Sequence, residues 1–225
     1  FSHTRARQEE AYQAVLAAVQ SGRIPEDTID SAYKRITTLK AAYPANRTPD
    51  LSLIRSPKHL KIARLAARAG TTLIRDHSAL LPLPQDEKIG LIEFASYLDS
   101  EVIEETGRTG FANLLSAARP NIKHVALRAD EHGNFAVDTA LQLVAESNVI
   151  VLATRSAHLS TKHQALVEQL KPHFKKLILV CLRNPYDVDL LPSADVMLCT
   201  HGDATPSMQA AVDVLVGEHI PTGKP

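Results

Sequence analysis

The sequence predicts an α/β fold, a three-layer αβα sandwich built on a mostly parallel sheet. Three observations carry that expectation. The first is a set of short, unbroken apolar runs: Val149-Ile150-Val151-Leu152-Ala153, Leu177-Ile178-Leu179-Val180-Cys181-Leu182 and Val196-Met197-Leu198-Cys199. Continuous rather than alternating runs are what strands covered on both faces require. The second is that helical segments separate the predicted strands, which favours right-handed βαβ units with helices on both sides of the sheet. The third is that each run ends in polar, turn-forming residues: a polar loop, Arg183-Asn184-Pro185-Tyr186-Asp187, and Thr200-His201-Gly202-Asp203. In open α/β sheets that carboxyl edge is where ligands bind.

Taken in order, residues 8–20 read as an amphipathic helix with Ala11, Val15, Leu16 and Val19 on one face and a stop at Gly22. Asp27 can cap the next helix, with Asp30 three residues on in a capping-box position. Its stripe is Ile29, Ala32, Tyr33, Ile36 and Leu39. The two helices cannot bury these stripes against each other alone. They call for a larger body upstream. Residues 44–56 lack apolar periodicity and contain Pro44, Asn46, Pro49 and Asp50, the pattern of a linker. Ser56-Pro57 is a helix start, Ser at the cap and Pro at the first helical position, and that helix ends at Gly70.

Residues 71–75 are β-branched and short, a predicted strand, and Leu80-Leu81-Pro82-Leu83-Pro84 breaks the chain. Residues 88–94 form the next strand. Residues 106–110 read as a loop at the sheet edge and 109–118 as a helix. Residues 124–127 form a strand. The helix over 134–146 turns Ala136, Ala140, Leu143 and Val144 inward, and the last helix runs over 206–216. The sequence has no internal repeat and no low-complexity segment.

At 225 residues the chain holds one large domain, or one domain with extra elements. Hydrophobic content of 44% and charged content of 22% are ordinary for a globular protein. The formal net charge is zero, so nothing points to nucleic acid or an anionic membrane. No apolar run approaches the roughly 18 residues of a membrane span. No signal-peptide pattern is present, and the sequence does not open on Met, so a leader ahead of Phe1 stays open. Cys181 and Cys199, both in predicted central strands, read as buried free thiols.

The sequence contains no phosphate loop, G-x-G-x-x-G, H-E-x-x-H or C-x-x-C. No cofactor and no metal is expected. His158 and His163 are five apart, a poor spacing for one helix face, and read as solvated. The binding candidates are polar residues at strand ends: Arg155, Asn184, His201 and Asp203. A second reading stands beside that one. Residues 184–187 can be a simple turn, with Asp187 capping the element that follows. Asp203 or Thr205 can cap the last helix, with Pro206 at its first position. Glu101, Glu104 and Glu105 are a carboxylate cluster ahead of a Gly-rich loop, or a solvated face.

Several stretches together resemble glycoside hydrolase family 3. Gly22-Arg23-Ile24, the segment 29–36 and Leu39-Lys40 resemble the close of the family's catalytic barrel. Ala69, Thr72-Leu73-Ile74-Arg75 and Leu81-Pro82-Leu83 resemble its entry into the C-terminal domain. The segment 182–187, His201-Gly202, Ala210-Ala211, Leu215, Gly217-Glu218 and Pro221-Thr222-Gly223-Lys224 resemble the last third of that domain. The resemblance spans nearly the whole chain and is weakest over 95–138.

It implies a bacterial two-domain β-N-acetylglucosaminidase, or a related β-glucosidase. Residues 1–43 would be terminal helices of an eight-stranded β/α barrel, 44–56 a linker, and 57–225 the C-terminal sandwich. Ser2 and His3 would lie at the end of the last barrel strand, facing the sugar. His201 stands where the family commonly has Tyr. A retaining glycosidase needs a carboxylate nucleophile and a proton donor. In the family the nucleophile Asp lies on the barrel, upstream of Phe1. The proton donor is a barrel-loop His in the N-acetylglucosaminidase branch and a second-domain Glu in the glucosidase branch.

The implied substrate is an amino-sugar glycoside, and the implied partner is the N-terminal barrel. The implied setting is the bacterial cytoplasm, or the cell envelope and beyond. This chain by itself would be catalytically silent. Other readings remain: a sugar- or protein-binding module unconnected with hydrolysis, or a doubly wound nucleotide-binding domain. The lack of a Gly-rich turn after residues 88–94 argues against the last.

Overall fold

The computed structural model describes residues 4–43, 50–94, 110–127 and 135–224. The chain divides into two compact units, Phe1–Ile54 and Arg55–Pro225. The first holds helices α1 (Arg5–Gln20) and α2 (Glu26–Ala42). Helix α2 begins one residue before Asp27, with Pro25 at the cap and no side-chain cap bond, so the expected capping box does not form. Pro25 is already extended (φ −61°, ψ 140°), which supplies the entry geometry without a side-chain acceptor. Across the two helices only Ala18 is buried. The apolar stripes read from the sequence face outward, with Tyr33 69% and Leu39 62% exposed and Val15, Leu16, Ile29 and Ile36 exposed beside them.

The second unit opens on α3 (Pro57–Gly70), whose Ser56 side chain accepts from the His59 amide as the Ser-Pro start predicts. Six strands follow: β1 (Thr72–Asp76), β2 (Ile89–Phe94), β3 (Lys123–Leu127), β4 (Val149–Thr154), β5 (Leu177–Cys181) and β6 (Val196–Cys199). Four helices are interleaved or follow: α4 (Phe111–Ala118), α5 (Val137–Glu146), α6 (Thr161–Leu170) and α7 (Thr205–Leu215). The strands lie in one sheet in the order β1-β6-β5-β4-β2-β3. All neighbours are parallel except β1, which runs antiparallel to β6.

Every residue of β2, β4, β5 and β6 is buried, as unbroken apolar runs demand. One face packs on α4 and α7, through Phe111, Leu115, Met208, Val212 and Leu215. The other packs on α5 and α6, through Leu143, Val144, Leu166 and Leu170. The layers are therefore helix, mostly parallel sheet, helix. Helix α3 is pinned outside α7, where Arg68 Nε and Nη2 reach Asp213 Oδ2 at 2.9 and 2.5 Å. Ala136, expected inward, lies ahead of α5 and is exposed, because the helix starts at Val137.

Two glycines are fixed by close approach. A Cβ on Gly90 would come within 2.6 Å of Ser147 Oγ and 2.9 Å of Ile150 Cδ1. One on Gly223 would come within 2.7 Å of the Thr71 carbonyl, where the C-terminal tail bridges to β1 and the Gly223 amide donates to Thr71 O at 3.0 Å. Gly90→Ala overfills the contact of β2 with β4 and α5. It is expected to cost about 1–3 kcal/mol, read as a lower urea midpoint with an unchanged slope.

Candidate functional site

The chain passes from β2 to β3 on one side and returns to β4 on the other, so the order reverses between β2 and β4. Connections on either side of such a reversal diverge and leave a crevice at the carboxyl ends of the strands. Glu93, near the end of β2, and Arg155, just past β4, meet there. Arg155 Nη2 lies 2.7 Å from Glu93 Oε1, and Nη1 donates to the Phe94 carbonyl at 2.7 Å. Its Nε is 3.9 Å from Asp203 Oδ2, and Met208 Sδ is 3.4 Å from Nη2.

Glu93 is satisfied from its other side by the N-terminus of α4. The Phe111 amide donates to Oε1 at 3.2 Å and the Ala112 amide to Oε2 at 2.8 Å. A carboxylate there is favoured by the helix dipole as well as by Arg155. Arg155 is only 8% exposed, and its guanidinium is engaged by protein groups. It braces β2, β4 and the turn into α7 together.

Helix α7 has Ala204 at its N-cap and makes no side-chain cap bond, so neither Asp203 nor Thr205 caps it. Asp203 is turned toward Arg155 instead, by charge attraction across the crevice. His201 is exposed and has φ 54°, a left-handed conformation uncommon for a residue other than glycine. Its Nε2 lies 3.1 Å from Thr72 Oγ1 on β1. Thr200 braces the same turn, its hydroxyl oxygen lying 2.8 and 2.7 Å from the Leu182 and Gly202 carbonyl oxygens, with its one proton to share between them.

Asn184 Nδ2 donates to Ser156 Oγ at 2.9 Å, tying the end of β5 to the end of β4. Asp187 does not cap the element after it. It is fully buried and accepts from the Ala157 and His158 amides at 3.1 and 3.0 Å and from His158 Nδ1 at 2.6 Å. It thereby closes the short helical turn Ala157–Leu159 that follows β4. The turn's free amides are the nearer demand for an acceptor.

The histidines expected in solvent are not there. His158 is half-buried on Asp187, and His163 is buried with its ring stacked 4.8 Å from that of Phe94. Burial pushes the His163 pKa below the usual imidazole value. Cys181 and Cys199 are buried free thiols directly opposite each other on β5 and β6. The hydrogen bond to Cys199, then burial, raises the Cys181 thiol and keeps it neutral.

Arg155, Asn184, His201 and Asp203 thus all fall along the carboxyl edge of β4, β5 and β6 and the turns that follow. Ser2, His3, Glu101, Glu104 and Glu105 lie outside the described residues. Sequence reading missed Glu93 as a site residue, although a lone acid inside the apolar run Ile89–Phe94 is a visible signal. Among the described residues no group of three or more His, Cys, Asp or Glu side chains is placed to hold a metal ion, and no helix is long and apolar enough to cross a membrane.

No protein-family model matches the chain. It is similar to a β-N-acetylglucosaminidase/β-glucosidase of Cellulomonas fimi, at 21% identity over 93% of this chain and 40% of that protein. Among solved structures it matches a glycoside hydrolase family 3 β-N-acetylglucosaminidase from Paenibacillus sp. str. FPU-7. That match has TM-score 0.75 and 26% identity over 99% of this chain and 43% of that one. It shares the fold of part of a fungal multi-domain family 3 β-N-acetylglucosaminidase (TM-score 0.68, 22% identity, 100% of this chain and 27% of that one). It shares the fold of part of a Listeria innocua β-glucosidase as well (TM-score 0.64, 19% identity, 92% and 33%). The chain spans less than half the length of each of these proteins. In sequence and fold it resembles the C-terminal domain of glycoside hydrolase family 3 enzymes.

Proposed function

We propose that the chain is the C-terminal portion of a retaining family 3 glycoside hydrolase that releases terminal β-linked N-acetylglucosamine. Its role is to support the sugar site of a catalytic barrel upstream of Phe1. The observation that carries the reading is the match to the Paenibacillus β-N-acetylglucosaminidase over 99% of this chain and under half of that one. The outward-facing stripes of α1 and α2 support it. Tyr33, Ile36 and Leu39 together make an apolar face that a self-contained module would be expected to cover. On this reading residues 1–43 close the barrel, 44–56 link, and 57–225 form the supporting domain.

Within that domain Arg155 shapes the carboxyl edge from beneath. Asn184, His201 and Asp203, at that edge, are the residues proposed to meet the substrate, and Ser2 and His3 keep only the role that the family resemblance implies. Retaining hydrolysis requires a carboxylate nucleophile and a proton donor flanking one bond, and the family resemblance places the nucleophile on the barrel. The chain alone is therefore expected to be inactive.

The test compares hydrolysis of chromogenic N-acetylglucosaminide and glucoside by this chain and by a longer one that includes the upstream region. Turnover only in the longer protein, faster on the N-acetylglucosaminide, is the expected result. Turnover only on the glucoside moves the assignment to the β-glucosidase branch, which the Cellulomonas relative's name also covers. Turnover by the short chain overturns the supporting role, and none in the longer chain overturns the hydrolase reading.

A further inference from the structure

A second cluster lies at the same edge, around the buried carboxylate of Asp187. Asp187 is fully buried and holds His158 by Nδ1 at 2.6 Å. In the neutral imidazole a carboxylate on Nδ1 selects the tautomer protonated there, which leaves Nε2 as a lone-pair acceptor. The His158 side chain is 22% exposed. Tyr186 stands beside it, ring centroids 5.5 Å apart and edge-on at 64°, and is itself 64% exposed. An exposed tyrosine ring fixed against a histidine is an open apolar face beside an acceptor.

The backbone beneath is held in an uncommon shape. Ser156 has φ 51°, and its hydroxyl accepts from Asn184 Nδ2 at 2.9 Å. A left-handed non-glycine residue costs of order 1–3 kcal/mol and persists where surrounding bonds impose it, commonly at binding sites. Here the imposed turn is the one that presents His158 to Asp187.

We propose that His158 and Tyr186 form a carbohydrate contact site, with Asp187, Asn184 and Ser156 as its scaffold. The ligand class is a pyranose. Its C–H face carries partial positive charge and packs on the negative face of an aromatic ring, and a hydroxyl alongside donates to the fixed imidazole nitrogen. An apolar ring and one oriented polar group recognise that combination. The choice of a sugar over other hydroxylated rings rests on the hydrolase reading above.

The probe is N-acetylglucosamine and its β-linked disaccharide, titrated into the 225-residue chain with 15N-labelled histidine. The expected result is a saturable shift of the His158 Nε2 resonance, with a dissociation constant in the millimolar range. Tyr186→Ala removes an exposed ring and leaves the fold in place, so it should weaken binding about tenfold or more. His158→Gln should do the same. An unmoved Nε2 up to the solubility limit of both sugars overturns the site. A shift undiminished in Tyr186→Ala overturns it too, because binding then lies elsewhere. The outcome is separable from the hydrolysis assay: sugar binding here without turnover in the longer protein keeps this site and sinks that reading, and turnover without a shift does the reverse.

Discussion

Arg155→Met should destabilise the second unit by about 3–5 kcal/mol, the usual cost of removing one partner from a buried ion pair. Glu93 keeps its two amide donors from Phe111 and Ala112 but loses the cation at 2.7 Å. It would then be a buried carboxylate without a counter-charge. The Phe94 carbonyl loses its donor as well. The discriminating variant is the pair Glu93→Gln with Arg155→Met. Glutamine keeps a carbonyl oxygen for one of the two α4 amides, at the cost of an NH2 facing the other, and carries no charge, and methionine fills much of the volume vacated by the arginine. The double variant is expected to be more stable than Arg155→Met alone. Two independent losses would instead add. Urea unfolding of the three variants reads this directly. A cost below about 1 kcal/mol for Arg155→Met, or strict additivity in the pair, would mean that the crevice is not held by charge.

The sheet was legible because burial on both faces writes itself into composition. The runs at 149–153, 177–182 and 196–199 contain nothing that must reach water, and they became β4, β5 and β6. The helix from Ser56-Pro57 was legible for a different reason, since cap and first-turn chemistry are local. The partners of buried polar groups were not legible. Glu93 and Arg155 are 62 residues apart, and Asp187 and the amides it serves are about 30 apart. Local periodicity carries no information about which charges the topology will bring together. The same limit explains the caps. On local spacing alone, Asp187 and either Asp203 or Thr205 can cap the nearest helical start. In the fold Asp187 answers a turn on another strand and Asp203 an arginine. The polar strand-end residues are therefore legible as a set along one edge, and the partner that each one takes is read only from the structure.

The same reasoning makes Asp187 the most informative residue to change. Asp187→Ala leaves the buried amide of Ala157 and that of His158 without an acceptor, at about 1–3 kcal/mol for each buried donor left unmade. The expected loss is about 2–5 kcal/mol in urea unfolding. It should be accompanied by loss of the fixed His158 ring, seen as averaging of its two nitrogen resonances. Asp187→Asn keeps one oxygen for a backbone amide but turns an NH2 toward a donor, so it should fall between alanine and the wild type. His158→Gln separates the two roles of the carboxylate. It releases the ring while Asp187 goes on accepting from both amides, so the stability cost should be under about 1 kcal/mol, the range of a substitution that leaves no buried group unpaired. If His158→Gln costs as much as Asp187→Ala, the carboxylate is there mainly to hold the ring. If Asp187→Ala is nearly neutral, the turn after β4 finds other acceptors, and the scaffold assigned to His158 and Tyr186 is not what fixes that edge.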